Sequence, residues 1–375
     1  MLAWHRFVAV LMKELAQVRR DRFTFAMIVG IPVIQLVLFG YAINMDPKGL
    51  PTAVVSADSS VFSRSLLAAL ANTGYFRFVA TPRTLQEAEH LMAVGDIQFL
   101  VQIPEDFSRR IQRGEPAVVL LEADATDPAA TGNALAAVAQ LADHAIDRDL
   151  AGPLAQRRLG VAPFEVRVQR RYNPEGITQY NIVPGLMGVV LTMMLVIMTA
   201  LAMTRERERG TMENLLATPV TPLEVMLGKI VPYIFIGYLE VVVILVVGEL
   251  LFSVPMLGSL ALLSAVLVIF IATNLAIGFT FSTFARNQMQ AMQMTIFFFL
   301  PSMLLSGFMF PYRGMPAWAQ ALGEALPLTH FLRIVRGIML KGSGPAEILP
   351  QVWPLGVILA VVSAAALARY RRTLD

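Results

Sequence analysis

Apolar residues are concentrated in six long runs, which are separated by shorter polar segments. Each run contains about 20 mostly apolar residues, the length that an α-helix needs to cross the hydrocarbon core of a bilayer. We therefore predict an α-helical polytopic membrane protein. The six predicted transmembrane helices are Phe23–Ala42, Ile182–Met203, Ile230–Phe252, Leu257–Phe284, Ala291–Phe310 and Ile348–Ala368.

A run of alternating charges, RERER at Arg205–Arg209, follows the second apolar run directly. Five charged side chains at the centre of a bilayer would cost about 15 kcal/mol at roughly 3 kcal/mol each. An apolar helix gains only about 10 kcal/mol from about 20 favourable residues. The charged run must therefore lie in water, and a short helix with Met212, Leu215 and Leu216 on one face is predicted directly after it.

Lys and Arg residues flank the apolar runs on one side of the predicted membrane. They precede the first run at Lys13 and Arg22, and they recur at Arg205–Arg209, at Arg286 and at Arg369–Arg372. Because cytoplasmic flanks are enriched in these residues, we expect both termini to be cytoplasmic. The predicted organisation is an interfacial amphipathic helix at 1–22, the first span at 23–45, an extracytoplasmic domain at 46–176 and the remaining five spans at 177–375.

The inserted segment at 46–176 has the pattern of a soluble domain. Short β-branched runs such as TAVVSAD, IQFLVQIP and AVVLLEAD alternate with helical patterns. Thr84 and Glu87 have the spacing of a helix capping box, and Pro104 and Gly114 have the positions of a helix start and stop. The alternation predicts an α/β domain with a mainly parallel sheet.

Composition agrees with a membrane protein. Of the 375 residues 56% are hydrophobic and only 15% charged, and the mean hydropathy is +0.62. Soluble domains carry about 25% charged residues. The chain has no Cys, which excludes disulfides and thiolate chemistry, and its net charge of +3 comes without a basic and aromatic stripe, so we expect no nucleic-acid partner.

Motifs for chemistry within the chain itself are missing from the sequence. There is no GxxxxGK[ST] phosphate loop, no GxSxG and no HExxH, and the four His residues are scattered. We therefore expect neither catalysis nor a bound metal or cofactor. Asp124 and Asp127 could form a carboxylate pair, but the pattern favours capping or solvated turn residues.

Glu240 lies near the middle of the third apolar run. A carboxylate inside the membrane is costly and often marks a transport path. Glu240 is therefore a candidate for lining a path, attracting a cationic substrate or binding a proton. The alternative is a protonated or amide-paired packing residue near Gln293 or Asn274.

Two stretches resemble a known family. RERERGTMENLLATPVTPLEVMLGK resembles the first cytoplasmic loop of ABC-2-type exporter permeases. SGFMFPYRGMPAWAQALGEALPLTHFLRIVRGIMLKG, at Ser306–Gly342, resembles the extracellular return between their fifth and sixth spans. The large domain after the first span is similar to that of the multidrug and membrane-fusion-linked subgroup.

The resemblance implies a coupling helix at about 205–218 that docks into a cleft of a separate ATP-binding subunit. Leu215 and Leu216 would occupy the cleft, and Glu213 and Arg209 would lie at its rim. The complete set of matched coupling residues is Arg209, Gly210, Thr211, Glu213, Leu215, Leu216 and Pro219. ATP and Mg²⁺ would bind only through that partner subunit.

A re-entrant pair of short helices at about 311–340 is the family's arrangement after the fifth span. Pro311, Pro316 and Pro327 prevent a continuous helix there, while the segment stays apolar. The alternative is an amphipathic loop on the membrane surface.

The function that the resemblance implies is that of an ABC exporter's permease subunit in the bacterial inner membrane, moving amphipathic drug-like or lipid-like molecules outward. Its further partners would be a second permease, identical or paralogous, the lipid bilayer and a periplasmic membrane-fusion adaptor. Two alternatives remain: an extracytoplasmic ligand sensor and a secondary transporter that does not use ATP.

Overall fold

The computed structural model describes residues 47–141, 144–150, 164–208 and 222–372. The predicted N-terminal helix, the first span and the coupling helix after Glu208 lie outside these residues.

Five strands and four helices alternate in the first part of the described chain. They are β1 (Leu50–Ser56), α1 (Val61–Asn72), β2 (Phe76–Ala80), α2 (Leu85–Val94), β3 (Phe99–Ile103), α3 (Phe107–Arg113), β4 (Ala117–Asp124), α4 (Pro128–Leu141) and β5 (Phe164–Arg171). The α/β architecture expected from the alternation is therefore present. After α4 the chain forms turns at 144–149.

The strands form one sheet in the order β2-β1-β3-β4-β5. Three neighbouring pairs are parallel, and β3 and β4 are antiparallel. Helix α3 has seven residues and rises about 10 Å, whereas the five-residue strand β3 is about 16 Å long. Residues 104–116, which include α3, connect β3 to β4, and β4 runs antiparallel to β3.

Helices cover both faces of the sheet. Val54 and Val101 belong to the larger core cluster, which includes residues of α1, α3 and α4. Ala53 and Leu100 point the other way and pack with Ala88 and Met92 of α2. Helix α2 therefore lies on the face of the sheet opposite the other three helices.

The predicted signals at the helix ends are present in this domain except at Pro104, which precedes a turn and is not in the first turn of α3, since α3 begins at Phe107. Thr84 Oγ1 accepts a hydrogen bond from Glu87 N at 3.2 Å, and Glu87 Oε2 reaches back to Arg83 N at 2.9 Å. Gly114 follows α3 with φ of +75°, a conformation that costs glycine little.

Long apolar helices dominate the second part of the chain. They are α5 (Thr178–Glu208), α6 (Pro222–Phe252), α7 (Leu260–Phe284), α8 (Gln288–Leu305) and α11 (Pro345–Arg372). Within the residues that the structure describes, four stretches are long and apolar enough to cross a membrane: Thr178–Arg205, Tyr233–Phe252, Leu260–Phe284 and Pro345–Ala368.

These four stretches correspond to the second, third, fourth and sixth predicted spans. The run predicted as the fifth span forms the 18-residue helix α8, which ends at Leu305 rather than Phe310. Helix α8 is not among the four stretches that are long and apolar enough to cross a membrane. Gly307 follows with φ of +84°, a left-handed conformation that breaks the helix inside an apolar run.

Two short helices, α9 (Ala317–Glu324) and α10 (Pro327–Arg336), follow α8, and a single π-helical turn, Gly337–Lys341, leads on to α11. Most of α10 is buried. Phe331 on α10 stacks on Phe270 of α7 with ring centroids 4.0 Å apart. The second short helix is therefore part of the helical core and not a surface loop.

Candidate functional site

All seven predicted coupling residues lie outside the described residues, from Arg209 to Pro219. Their flanks are described. The described part of α5 extends to Glu208, and the described part of α6 starts at Pro222. Glu208 Oε1 accepts a hydrogen bond from Gln288 N at 2.8 Å. This contact attaches the end of the described part of α5, which precedes the predicted coupling residues, to the start of α8.

Glu240 lies half-buried on α6. Its Oε2 atom is shielded from solvent and has no hydrogen-bond partner in the described part of the chain. Asn274, one of the two amide partners expected from the sequence, instead donates through Nδ2 to Phe270 O at 2.9 Å. The alternative in which Glu240 pairs with the amide of Asn274 is therefore not seen.

A second polar site, which the sequence did not predict, joins the α/β domain to the short helices. Lys341, at the end of the π-helical turn, forms an ion pair with Asp124 at the end of β4, with Nζ and Oδ2 2.5 Å apart. The two side chains are only 10% and 7% exposed. Because each charge has lost most of its hydration, the attraction between the two groups must offset that cost, which requires the short distance seen here.

This contact corrects the expectation for Asp124. The sequence favoured a solvated turn residue. The turn role is correct, because Asp124 Oδ1 accepts hydrogen bonds from Thr126 N and Thr126 Oγ1. The carboxylate is nevertheless buried, and its other oxygen binds Lys341. Asp127 does act in the turn, since its Oδ1 accepts from Ala129 N at 3.2 Å.

The C-terminal end of α2 faces the same junction. Lys341 Nζ donates to Met92 O at 3.2 Å, and Arg313 donates to Gly95 O at 2.7 Å. The carbonyl end of a helix carries partial negative charge, so two cations there are favourable. The α/β domain therefore rests on the short-helix segment through an electrostatically matched contact.

Tyr172 completes the surroundings of Lys341. The ammonium lies 5.0 Å from the centroid of the Tyr172 ring. Burial and the charge of Asp124 raise the pKa of Tyr172 to about 12, so the phenol stays neutral at physiological pH. Tyr172 also has φ of +68°, a conformation that a non-glycine residue adopts only when its surroundings enforce it.

Arg336 links α10 to the first described span. It donates to Gly307 O at 3.1 Å and to Asn181 Oδ1 at 3.0 Å, and Asn181 Nδ2 donates to Thr126 O at 2.8 Å. The guanidinium of Arg336 and the amide of Asn181 therefore connect four segments, which are α10, the end of α8, the start of α5 and the turn after β4.

A third group of contacts ties the two short helices together. Arg333 makes hydrogen bonds to both carboxylate oxygens of Glu324, at 2.6 and 3.1 Å. His330 is buried between Gln351 Oε1 and Glu324 O, at 2.9 and 2.8 Å from its ring nitrogens. The turn between α9 and α10 is thereby fixed against α11.

A local signal for this junction was present in the sequence. Arg333 and Arg336 are three residues apart, and Lys341 follows, in a segment that is otherwise strongly apolar. Positive charges in such a setting need partners. The sequence could have indicated that partners exist, but not that Asp124 is one of them.

Within the described residues no group of three or more His, Asp or Glu side chains is arranged to hold a metal ion. The charged contacts of the junction attach one part of the chain to another.

Apolar helices of membrane-spanning length, preceded in the chain by an α/β domain, define a polytopic membrane protein. The chain belongs to the ABC-2 transporter family, because residues 22–368 match the family described as "ABC-2 family transporter protein". Membership in this family of permeases implies an ATP-binding partner subunit.

Several relatives have been named. The chain is 32% identical over 369 residues to the probable multidrug ABC transporter permease YbhS of Escherichia coli, covering 97% of this chain and 94% of that one. It is 29% identical to the probable multidrug ABC transporter permease YbhR of the same organism, over 98% of this chain and 99% of that one. The Escherichia coli inner membrane transport permease YhhJ is 28% identical, over 91% and 93%.

Proposed function

We propose that this ABC-type permease exports amphipathic small molecules, drug-like or lipid-like, from the cytoplasm or the inner leaflet. The observation that carries the proposal is the match of nearly the whole chain to permeases, two of which bear the words "multidrug ABC transporter permease" in their names. In this proposal the chain lies in the bacterial inner membrane with both termini cytoplasmic and pairs with a second permease, identical or paralogous.

The driving force in this proposal is ATP hydrolysis on a separate subunit. The matched coupling residues include Leu215 and Leu216, which would fill an apolar cleft of that subunit, and Arg209 and Glu213, which would contact its rim. Hydrolysis would push on the two coupling helices of the permease pair and open a path between them. Glu240 would lie along that path.

The α/β domain would then lie outside the cytoplasm, where it could contact a periplasmic adaptor. Its contact with the short helices through Lys341 and Asp124 supports this arrangement, because a movement of those helices would reach the domain through shielded, specific contacts.

Copurification with the ATP-binding subunit tests the coupling assignment. We expect wild type to retain that subunit and the Leu215→Asp plus Leu216→Asp variant to lose it, since two carboxylates in an apolar cleft lack partners. The matched control is Val61→Asp plus Val79→Asp, which changes two exposed apolar residues of the α/β domain and leaves binding intact. Equal retention by both variants would contradict the assignment.

Substitution of Glu240 tests its role in the path. We expect Glu240→Gln to lower export of a cationic amphiphile more than export of a neutral one, because the carboxylate would attract the positive charge. Equal effects on the two substrates would indicate that Glu240 serves packing alone.

A further inference from the structure

His330, on α10, is a buried histidine whose two ring nitrogens both face hydrogen-bond acceptors. Its side chain is only 3% exposed. Nδ1 lies 2.9 Å from Gln351 Oε1 of α11, and Nε2 lies 2.8 Å from the backbone oxygen of Glu324 at the end of α9. A neutral imidazole has one donor nitrogen and one acceptor nitrogen, whereas the protonated ring has two donors. Only the protonated ring can therefore donate to both oxygens at once.

Neighbouring contacts fix both of these oxygens as acceptors. The oxygen of Glu324 belongs to a backbone carbonyl, which cannot donate. The side-chain oxygen of Gln351 also accepts a hydrogen bond from Arg333 Nη1 at 3.1 Å, and a guanidinium has no acceptor atom. The Gln351 amide must therefore keep its oxygen on this side. With a neutral ring, a nitrogen lone pair would face an oxygen lone pair in a buried site, which is unfavourable.

Negative charge on α9 also favours the protonated ring. Glu324 Oε2 lies 3.7 Å from His330 Nε2. Desolvation alone would raise the pKa of Glu324, but hydrogen bonds from Arg333 and Tyr312 and nearby positive charge hold that pKa below its usual 4.5. The Glu324 carboxylate is therefore ionised at neutral pH. The backbone oxygen of Glu324 lies at the carbonyl end of α9, where the helix dipole adds further negative potential.

Other charged groups around α10 are distant or already engaged. Helices α7 and α8 contain no charged residue, and α5 and α11 carry charges only at their far ends, apart from Glu347. Glu347 accepts from the backbone at the start of its own helix, and Lys341 of the π-helical turn pairs with Asp124. On α10 itself, Arg333 is neutralised by a carboxylate of α9, and Arg336 is directed to α5 and the end of α8. The charge of the ring therefore depends mainly on the contacts described above.

A cavity of about 380 Å³ at the junction with the α/β domain borders this cluster. Its walls include the residues that surround the buried ring, namely Tyr312, Glu324, Arg333 and Gln351. A polar cavity of this size has room for water. The ring is thus buried but separated from a water-accessible space only by its own hydrogen-bond partners, so a route for proton exchange exists.

We propose that His330 is a proton-operated latch, which holds the end of α9 and the start of α11 to α10 when both of its ring nitrogens are protonated. On loss of a proton the hydrogen remains on Nε2, because the negative potential of Glu324 lies on that side. Nδ1 then presents a lone pair to Gln351 Oε1, an oxygen that already accepts from a guanidinium, and the contact to α11 opens. The latch therefore holds at acidic pH and is released as pH rises.

This latch goes beyond the proposed transport function and does not depend on it, because it involves the permease alone. Helix α11 begins a membrane-spanning stretch, so release of its start would change how that helix is held at the membrane surface. In the proposed topology the latch lies on the extracytoplasmic side, where it would respond to the pH outside the cytoplasm.

Nitrogen NMR of the full chain with isotope-labelled histidine tests the protonation of the ring. The chain has four His residues, and the signals that disappear in His330→Gln belong to His330. Histidine changes charge between about pH 5 and about pH 8. We expect both nitrogens to be protonated at the acidic end and Nε2 alone at the alkaline end. A ring that is neutral at the acidic end, or that keeps its hydrogen on Nδ1 at the alkaline end, would overturn the proposal.

The distance between two spin labels tests whether the contact to α11 opens. The chain has no Cys, so Leu322→Cys on α9 and Leu349→Cys on α11 give one labelled pair at exposed positions. In the full chain reconstituted in lipid, we expect a narrow distance distribution at about pH 5 and its loss, by broadening, at about pH 8.

Variants in the labelled background then assign this transition to the latch. His330→Gln should abolish the dependence on pH, since an amide does not titrate. Gln351→Glu should move the transition to higher pH by about one unit, because a carboxylate there favours the protonated ring. The matched control is His144→Gln, which removes an exposed histidine of the α/β domain and should leave the transition in place. Thermal unfolding of each variant confirms that it is folded.

Three results would overturn the latch. They are a distance distribution that does not change with pH in the otherwise wild-type chain, a transition that persists in His330→Gln, and a transition that Gln351→Glu leaves at the same pH. The two variants test opposite sides of the same contact, so the proposal stays open to refutation even if one of them fails to fold.

Discussion

Lys341 and Asp124 show how one residue pair can attach the α/β domain to the helices. Removing one member leaves the other charge buried without its counter-ion, which costs about 3–5 kcal/mol. We therefore expect Lys341→Met to lower the unfolding free energy by about that amount, measured by denaturant unfolding of the detergent-solubilised protein. The residues are 217 positions apart, so the loss reports a tertiary contact.

The double variant Lys341→Met plus Asp124→Asn is the control for this prediction. It removes both charges, so no uncompensated charge stays buried, and we expect it to recover much of the lost stability. A double variant as unstable as the sum of the two single variants would show that the charges do not interact.

Asp58 gives the domain a defined dependence on pH. Desolvation alone would raise the pKa of Asp58, but hydrogen bonds from Ser60 and Ser108 outweigh it and hold that pKa below its usual 3.8. Asp58 accepts from Ser60 N at 2.7 Å and from Ser108 N at 2.8 Å, and so connects the starts of α1 and α3.

The folded state therefore favours the ionised form of Asp58. The stability that Asp58 contributes is fully present above about pH 4, where the unfolded chain is also ionised, and is lost as pH falls through the lowered folded-state pKa. We expect Asp58→Asn to be less stable than wild type at pH 7 and to lose less stability on acidification. Parallel stability curves from pH 7 to pH 3 would contradict this role.

Single residues were predictable from the sequence only where their partners are near in the chain. Thr84 and Glu87 are three positions apart, and their capping contact is present as expected. Asp124 was misjudged because its partner Lys341 is far along the chain, and only the folded arrangement brings the two together. Local hydrogen-bond rules contain no information on such distant pairs.

At the scale of helices, the contact between α5 and α7 depends on Gly278. A Cβ atom at this position would lie 2.6 Å from Val196 O, a backbone atom that cannot move without displacing α5. Small residues allow this close approach between membrane helices. We expect Gly278→Ala to lower the thermal unfolding temperature of the solubilised protein clearly.

Gly356 on α11 provides the matched control, because a Cβ there would have no atom within 4 Å. Gly356→Ala is expected to be neutral or mildly stabilising, since alanine favours the helix. If the two substitutions had equal effects, the cost at Gly278 would be one of helix propensity and not of packing.

The lengths of the apolar runs predicted which segments form long helices, but they did not always predict where those helices end. Four predicted spans coincide with apolar helices of spanning length, with bounds shifted by a few residues. Helix α8 ends early at Leu305 because Ser306 and Gly307 interrupt it, although the run stays apolar up to Phe310. Hydropathy measures how readily side chains transfer into lipid, and it does not indicate where the backbone turns.

At the scale of the whole molecule, the proposed topology places the α/β domain and the start of α8 on opposite sides of the membrane. The chain has no Cys, so a single introduced thiol is a clean reporter. We expect Ser59→Cys, at an exposed site of the domain, to react with a membrane-impermeant maleimide in intact spheroplasts. Arg286→Cys, at an exposed site before α8, should react only after permeabilisation.

The reversed labelling pattern would invert the proposed topology. Labelling of both sites in intact cells would contradict an odd number of crossings between them.

The presence of the domain and of the spanning helices followed from the sequence, but their attachment did not. Alternating strand and helix patterns are set locally, whereas the docking of α2 on Arg313 and Lys341 depends on the end of a helix meeting two cations from distant segments. The cavity at this junction likewise exists only in the folded chain.

Transport by purified protein in proteoliposomes tests the central claim most directly. The claim is that this permease moves amphipathic molecules only when a separate ATP-binding subunit hydrolyses ATP. We expect ATP-dependent flux of a fluorescent amphiphile when both subunits are present and background flux when the permease is alone, with or without an ion gradient. Full flux by the permease alone, driven by an ion gradient without nucleotide, would contradict the account.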